Sequence, residues 1–108
     1  MKKIYNKLVR DKILQVIKND NQIPQSRILD ESEYLDELHK KLFEEVNEFV
    51  EQDDKEELAD VLEVLYAIAK HKNIDLDEVE KIRLAKVEKR GAFEKRIFLE
   101  QVEELEGE

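Results

Sequence analysis

The 108-residue sequence has no cysteine and no tryptophan, one proline, two glycines and two histidines. Without thiols it has neither a disulfide framework nor thiolate chemistry. Its histidines, His39 and His71, stand far apart and lack the Glu-x-x-His spacing of a di-iron bundle, so a zinc or di-iron site is not expected and both read as surface residues. No apolar run approaches the roughly 18 residues of a membrane span, and no apolar signal-peptide core follows the basic Met1-Lys2-Lys3 start. A soluble cytoplasmic protein with no membrane partner is the expectation. Positive charge is also in short supply: 19 basic residues face 28 acidic ones, for a formal net charge of −9. That balance argues against nucleic acid held on a broad basic surface, but leaves room for a small phosphate ligand screened by a metal. The abundant oxygen ligands suit a hard cation, Mg²⁺ or Mn²⁺.

What is present is helical periodicity. Hydrophobic residues make up 41% of the chain, enough for the core of one domain spanning residues 1–108. There is no internal repeat and no linker rich in Pro, Gly or Ser. Residues 1–9, MKKIYNKLV, have no helical period and read as an extended arm. Ile13, Val16 and Ile17 follow helical spacing between Arg10 and about Asp20, where Asn19-Asp20-Asn21 stops the pattern before Pro24. Residues 25–30 read as another extended segment. A second helix is expected from Asp30 or Ser32, with the stripe Leu35, Leu38, Leu42, Val46 and Phe49. Asp54 followed by Glu57 resembles the start of a third helix that runs to about Lys72 and is closed by Asn73. Its apolar residues wrap nearly all round, which implies burial by neighbouring helices and by a second subunit. Asp75 with Glu78 opens a fourth helix, Leu76 to Arg90, with Gly91 as its stop. The tail, residues 94–108, could be a fifth helix, an exchanged arm or a partly mobile end. The fold class is therefore all-α, a bundle of four to five helices whose core is completed by homo-oligomerisation.

Two acidic ridges stand out. Glu44, Glu45 and Glu48 lie on the second helix and Glu57 and Asp60 on the third, at spacings that stack side chains along a helix face. On the second helix Glu45 flanks the apolar stripe, Glu48 lies further round and Glu44 faces roughly away. Asp60, inside LADVLEVLYAIA, needs a partner because buried unpaired acids are rare. Facing ridges would repel unless a cation neutralised them, and a divalent metal with open positions for water and phosphate oxygens resolves that cost. In a chain this acidic a Glu-x-x-Glu pair also arises readily on a solvated face, so a catalytically silent helical binding bundle is the competing interpretation. Lys86, Lys89, Arg90 and Arg96 surround Gly91-Ala92-Phe93, where they could close over phosphate oxygens or simply cap a helix end. Arg10 and Lys12 carry the same ambiguity. Phe43, Phe49 and Tyr66 read as core or rim.

The arrangement Glu44-Glu45-Val46-Asn47-Glu48 followed by Glu57-Leu58-Ala59-Asp60 resembles the EExxE…ExxD signature of the all-α nucleoside triphosphate pyrophosphohydrolases, the superfamily of MazG, the dimeric dUTPases and phosphoribosyl-ATP pyrophosphohydrolase. Tyr5 to Ile13, YNKLVRDKI, and Lys89 to Phe93, KRGAF, are similar to the opening and closing motifs of a small MazG-like branch. The resemblance implies Mg²⁺-dependent cleavage of an α–β phosphoanhydride to a nucleoside monophosphate and pyrophosphate. The substrate could be a modified or damaged nucleotide, with phosphoribosyl-ATP as the alternative. It further implies Glu45, Glu48, Glu57 and Asp60 as metal ligands and Glu44 as a group that either supports those ligands from behind or orients water. Lys86, Lys89, Arg90 and Arg96 would be phosphate contacts, in a homodimer or dimer of dimers. Two departures bear on substrate class: Ala92 stands where relatives often have a second glycine, and the connection between Glu48 and Glu57 is short.

Overall fold

The computed structural model describes residues 1–107, and among them the secondary structure is all α-helical: α1 (Ile13–Asn19), α2 (Glu31–Gln52), α3 (Lys55–His71) and α4 (Leu76–Arg90). Local chemistry sets most of the boundaries. The Asp30 carboxylate accepts from the Glu33 amide at 2.8 Å, the Asp54 carboxylate from the Glu57 amide at 3.0 Å and the Asp75 carboxylate from the Asp77 amide at 2.9 Å. Each satisfies an amide that the first helical turn leaves free. Helix ends are set by residues in the left-handed region. Asn73 (φ 56) closes α3, with the amides of Asn73 and Ile74 donating to the carbonyls of Lys70 and Ala69. Asn21 (φ 58) does the same for α1. At Gly91 (φ 85) the absence of a side chain lets the backbone leave α4 without strain. The first helix is shorter than the sequence pattern predicts: it begins at Ile13 rather than Arg10, and no side chain caps it.

The chain divides into two units, Met1–Ile74 and Asp75–Glu108, each described here by itself. In the first, Asp53 and Asp54 join α2 to α3, and so short a link makes the helices antiparallel neighbours. The edge-to-face contact of the Tyr34 and His71 rings, centroids 5.1 Å apart, ties the start of α2 to the end of α3. His71 is accordingly half-buried, not the surface residue the sequence suggests. Leu38 from α2 and Val64 and Ala69 from α3 form the buried core, with Leu35, Leu42 and Phe49 half-buried around it. Two packed helices cover only one face of each. Leu58, Leu62, Leu65 and Tyr66 therefore stay exposed, and the all-round burial expected for α3 is not reached within one chain. Val46, at the edge of the α2 stripe, and Phe43, on its outer side, are exposed for the same reason.

In the second unit α4 buries none of its residues, and residues 92–107 form no helix. Among the described residues no helix is long and apolar enough to cross a membrane.

Candidate metal centre

The two acidic ridges meet where α2 and α3 pack. Glu45 from α2 and Glu57 and Asp60 from α3 each offer a carboxylate oxygen, and the three oxygens lie within 4.8 Å of one another. Opposite ligands on a Mg²⁺ or Ca²⁺ ion stand roughly 4–5 Å apart, so the separation suits one small cation. Glu45 is the most enclosed of the set, with only 7% of its surface exposed; Glu57 and Asp60 are half-buried. Glu48, the fourth expected ligand, is exposed and lies outside this group of three.

The local sequence explains the placement. Glu45 follows Leu38 by seven residues, two helical turns, which keeps it on the face of α2 that packs against α3. Glu57 and Asp60 occupy the first two turns of α3, directly after the short link, and the Asp54 cap fixes the Glu57 amide. The beginning of α3 is thereby set beside the end of α2.

The electrostatics are those of crowded acids. Burial, reinforced by Glu48, pushes the Glu45 carboxyl above its ordinary value, with Lys41 acting in the opposite sense. Burial also raises Glu57, with Asp54, Asp60 and Glu45 adding repulsion. Oε2 of Glu45 and Oε2 of Glu57 are both buried and have no hydrogen-bond partner among the described residues. Unpartnered buried carboxylate oxygens are costly, and the hard oxygen donors fit Mg²⁺ or Mn²⁺ better than a soft, thiolate-seeking metal.

Basic side chains surround the cluster. Arg10 donates through Nη2 to Asp60 Oδ1 at 2.7 Å, supplying the partner that Asp60 requires from 50 residues upstream. Lys7 donates through Nζ to Glu44 Oε1 at 2.9 Å. Lys41 lies 3.3 Å from Glu44 Oε2 and 3.4 Å from Glu45 Oε1. Glu44 does not face away as the helical wheel suggests: it is half-buried, and its hydrogen bond from Lys7, helped by Lys41, holds its carboxyl below the ordinary value. Lys41 lies in no motif of the sequence, and Lys7 falls inside YNKLVRDKI without being marked as a site residue. Lys41 could have been found as the residue one turn before Glu45 at i, i+4 spacing; for Lys7 that motif is the one signal.

Lys86, Lys89 and Arg90 lie on α4 and Arg96 follows it. All four belong to the second unit and are exposed, and none enters an ion pair among the described residues. No family model, curated protein or solved structure matches this chain.

Proposed function

We propose that the chain is a metal-dependent nucleotide pyrophosphohydrolase whose cation is held by Glu45, Glu57 and Asp60, with Glu48 at the margin. The observation that carries this reading is the convergence of the three carboxylates from two helices within 4.8 Å, two of them with buried, partnerless oxygens. When bound, Mg²⁺ or Mn²⁺ supplies charge neutralisation and Lewis-acid polarisation of a phosphoanhydride.

The chain's own residues do the rest. Lys41 fixes Oε1 of Glu45 and leaves Oε2 for a ligand. The Asp54 cap and the α2–α3 packing hold Glu57 and Asp60 in register with Glu45, so little reorganisation is needed on binding. Glu44, kept ionised by Lys7 and Lys41, is an acceptor able to orient an attacking water by one of its protons. Water adds to phosphorus as the bond to the leaving pyrophosphate breaks; cleavage at the α–β position is what the resemblance of EEVNE…ELAD implies.

A second reading has its own observation. Arg10, Lys7 and Lys41 already place three cations on the ridge, as they would in a helical bundle that uses its acids for ion pairing alone. Pyrophosphate release from ordinary and modified nucleoside triphosphates and from phosphoribosyl-ATP, with and without Mg²⁺, separates the two. Metal-dependent release from any member supports the hydrolase; none from folded protein supports the ion-pairing bundle.

A further inference from the structure

The N-terminal arm brings two cations three residues apart against the acidic ridge, and neither spends its full hydrogen-bonding capacity there. Arg10 engages one oxygen of Asp60 through Nη2 alone, among the described residues, so Nε and Nη1 of its guanidinium are free to donate. Lys7 gives one of its three protons to Glu44. The Arg10 and Lys7 side chains are 62% and 41% exposed, so the free donors are accessible from solvent. An exposed pair of this kind contributes little to stability, so redirecting it toward another anion costs correspondingly little. With a divalent cation on the cluster, Asp60 has less negative charge to offer Arg10. A phosphoryl group on that cation would bring its oxygens to the guanidinium, which matches them as a fork where an ammonium does not.

We infer that Arg10, assisted by Lys7, is a phosphate-binding element of this site, supplied by the N-terminal arm. This rests on the metal-dependent reading above and adds to it which residues select a phosphate-bearing ligand. Arg10 touches the phosphoryl oxygens of the ligand; it moves no proton and holds no cation.

Titration calorimetry with inorganic pyrophosphate in saturating Mn²⁺ tests the inference, preceded by titration of Mn²⁺ alone. Wild-type protein is expected to bind both. Arg10→Ala is expected to bind pyrophosphate at least tenfold more weakly while Mn²⁺ affinity holds or tightens, since a competing cation has been removed. Arg10→Lys is expected to fall between the two and Lys7→Ala to lose less. Arg27→Ala, which removes an exposed arginine paired to Glu33, controls for net charge and should bind as wild type does. Circular dichroism melts establish that each variant is folded, and should Arg10→Ala not fold, Arg10→Lys carries the test. Pyrophosphate affinity unchanged or increased in the folded Arg10 variants overturns the inference and leaves the metal site standing. The same holds if wild-type protein binds Mn²⁺ but no pyrophosphate. Wild-type protein that binds no Mn²⁺ overturns the metal reading and the inference with it.

Discussion

Replacing Glu45 by glutamine should move stability in opposite directions with and without metal. Glu45 is 7% exposed, its Oε2 has no partner among the described residues, and Glu48, Glu57 and Asp60 crowd it. A buried polar atom left without a hydrogen bond costs about 1–3 kcal/mol, more when charged. Glutamine keeps the shape, removes the charge and places an amide donor beside the acids. Against this gain stands the loss of the charge paired with Lys41 at 3.4 Å, an i, i+4 contact of about 0.3–0.5 kcal/mol. The balance is about 1 kcal/mol in favour of Glu45→Gln, a rise of about 4–8 °C in melting temperature for a domain of this size. Metal reverses the order. A ligand at a hundred times its dissociation constant stabilises the folded state by about 2.7 kcal/mol, and the variant, having lost a charged ligand, should forgo most of that. Thermal melts with and without MnCl₂ should therefore cross: the variant higher without metal, the wild type higher with it. A variant that melts lower without metal and gains as much as wild type on adding it would show Glu45 to be an ordinary partner of Lys41.

The pH dependence follows from the same crowding. A carboxyl whose pKa is higher in the folded state than in the unfolded chain binds its proton more tightly when folded, so its contribution to stability falls as pH rises from the ordinary value of 4.5 toward the raised one. Glu45 and Glu57 behave this way, whereas Glu44, lowered by Lys7, stabilises above 4.5 and loses that stabilisation as pH falls through its folded pKa. Metal-free protein is expected to lose stability as pH climbs above 4.5, and denaturant melts of Glu45→Gln should show a weaker loss; an unchanged slope would contradict the origin assigned to it. Asp54→Ala removes the cap of α3 and should cost about 1 kcal/mol. Because that cap also fixes the Glu57 amide, Mn²⁺ affinity measured by calorimetry should fall with it. Leu38→Ala, at the most buried apolar position of the α2–α3 pair, should cost about 2–5 kcal/mol in urea unfolding.

What sequence made legible was local. Asp30, Asp54 and Asp75 sit where short acidic side chains cap helices, Asn73 and Gly91 where left-handed conformations end them, and each does so in the structure. The spacing of Glu45, Glu57 and Asp60 was legible too, because a link as short as Asp53-Asp54 forces α2 and α3 to run back along each other. The need of Asp60 for a partner could be read from its apolar neighbours; that the partner is Arg10 could not. Arg10 and Asp60 each lie in a motif, YNKLVRDKI and ELAD, but a contact across 50 residues from an arm without periodicity leaves nothing in either that names its partner. Lys7 escapes for the same reason, and the half-burial of Glu44 with it. The periodicity of α3 is a different case. Apolar residues on every face signal that burial is called for; within one chain a single antiparallel neighbour covers one side, and Leu58, Leu62 and Leu65 remain open.

The most direct test of the proposed activity is the Mg²⁺-dependent rate of pyrophosphate release from nucleoside triphosphate by wild-type protein and by Asp60→Asn, measured side by side. Asp60 is half-buried and its pair with Arg10 lies near the surface, so the substitution should leave the melting temperature nearly unchanged. Release that requires Mg²⁺ and falls at least a hundredfold in folded Asp60→Asn is the result expected of a metal-ligand carboxylate. Full metal-dependent turnover by Asp60→Asn, or no release by wild type from any triphosphate, would contradict the assignment.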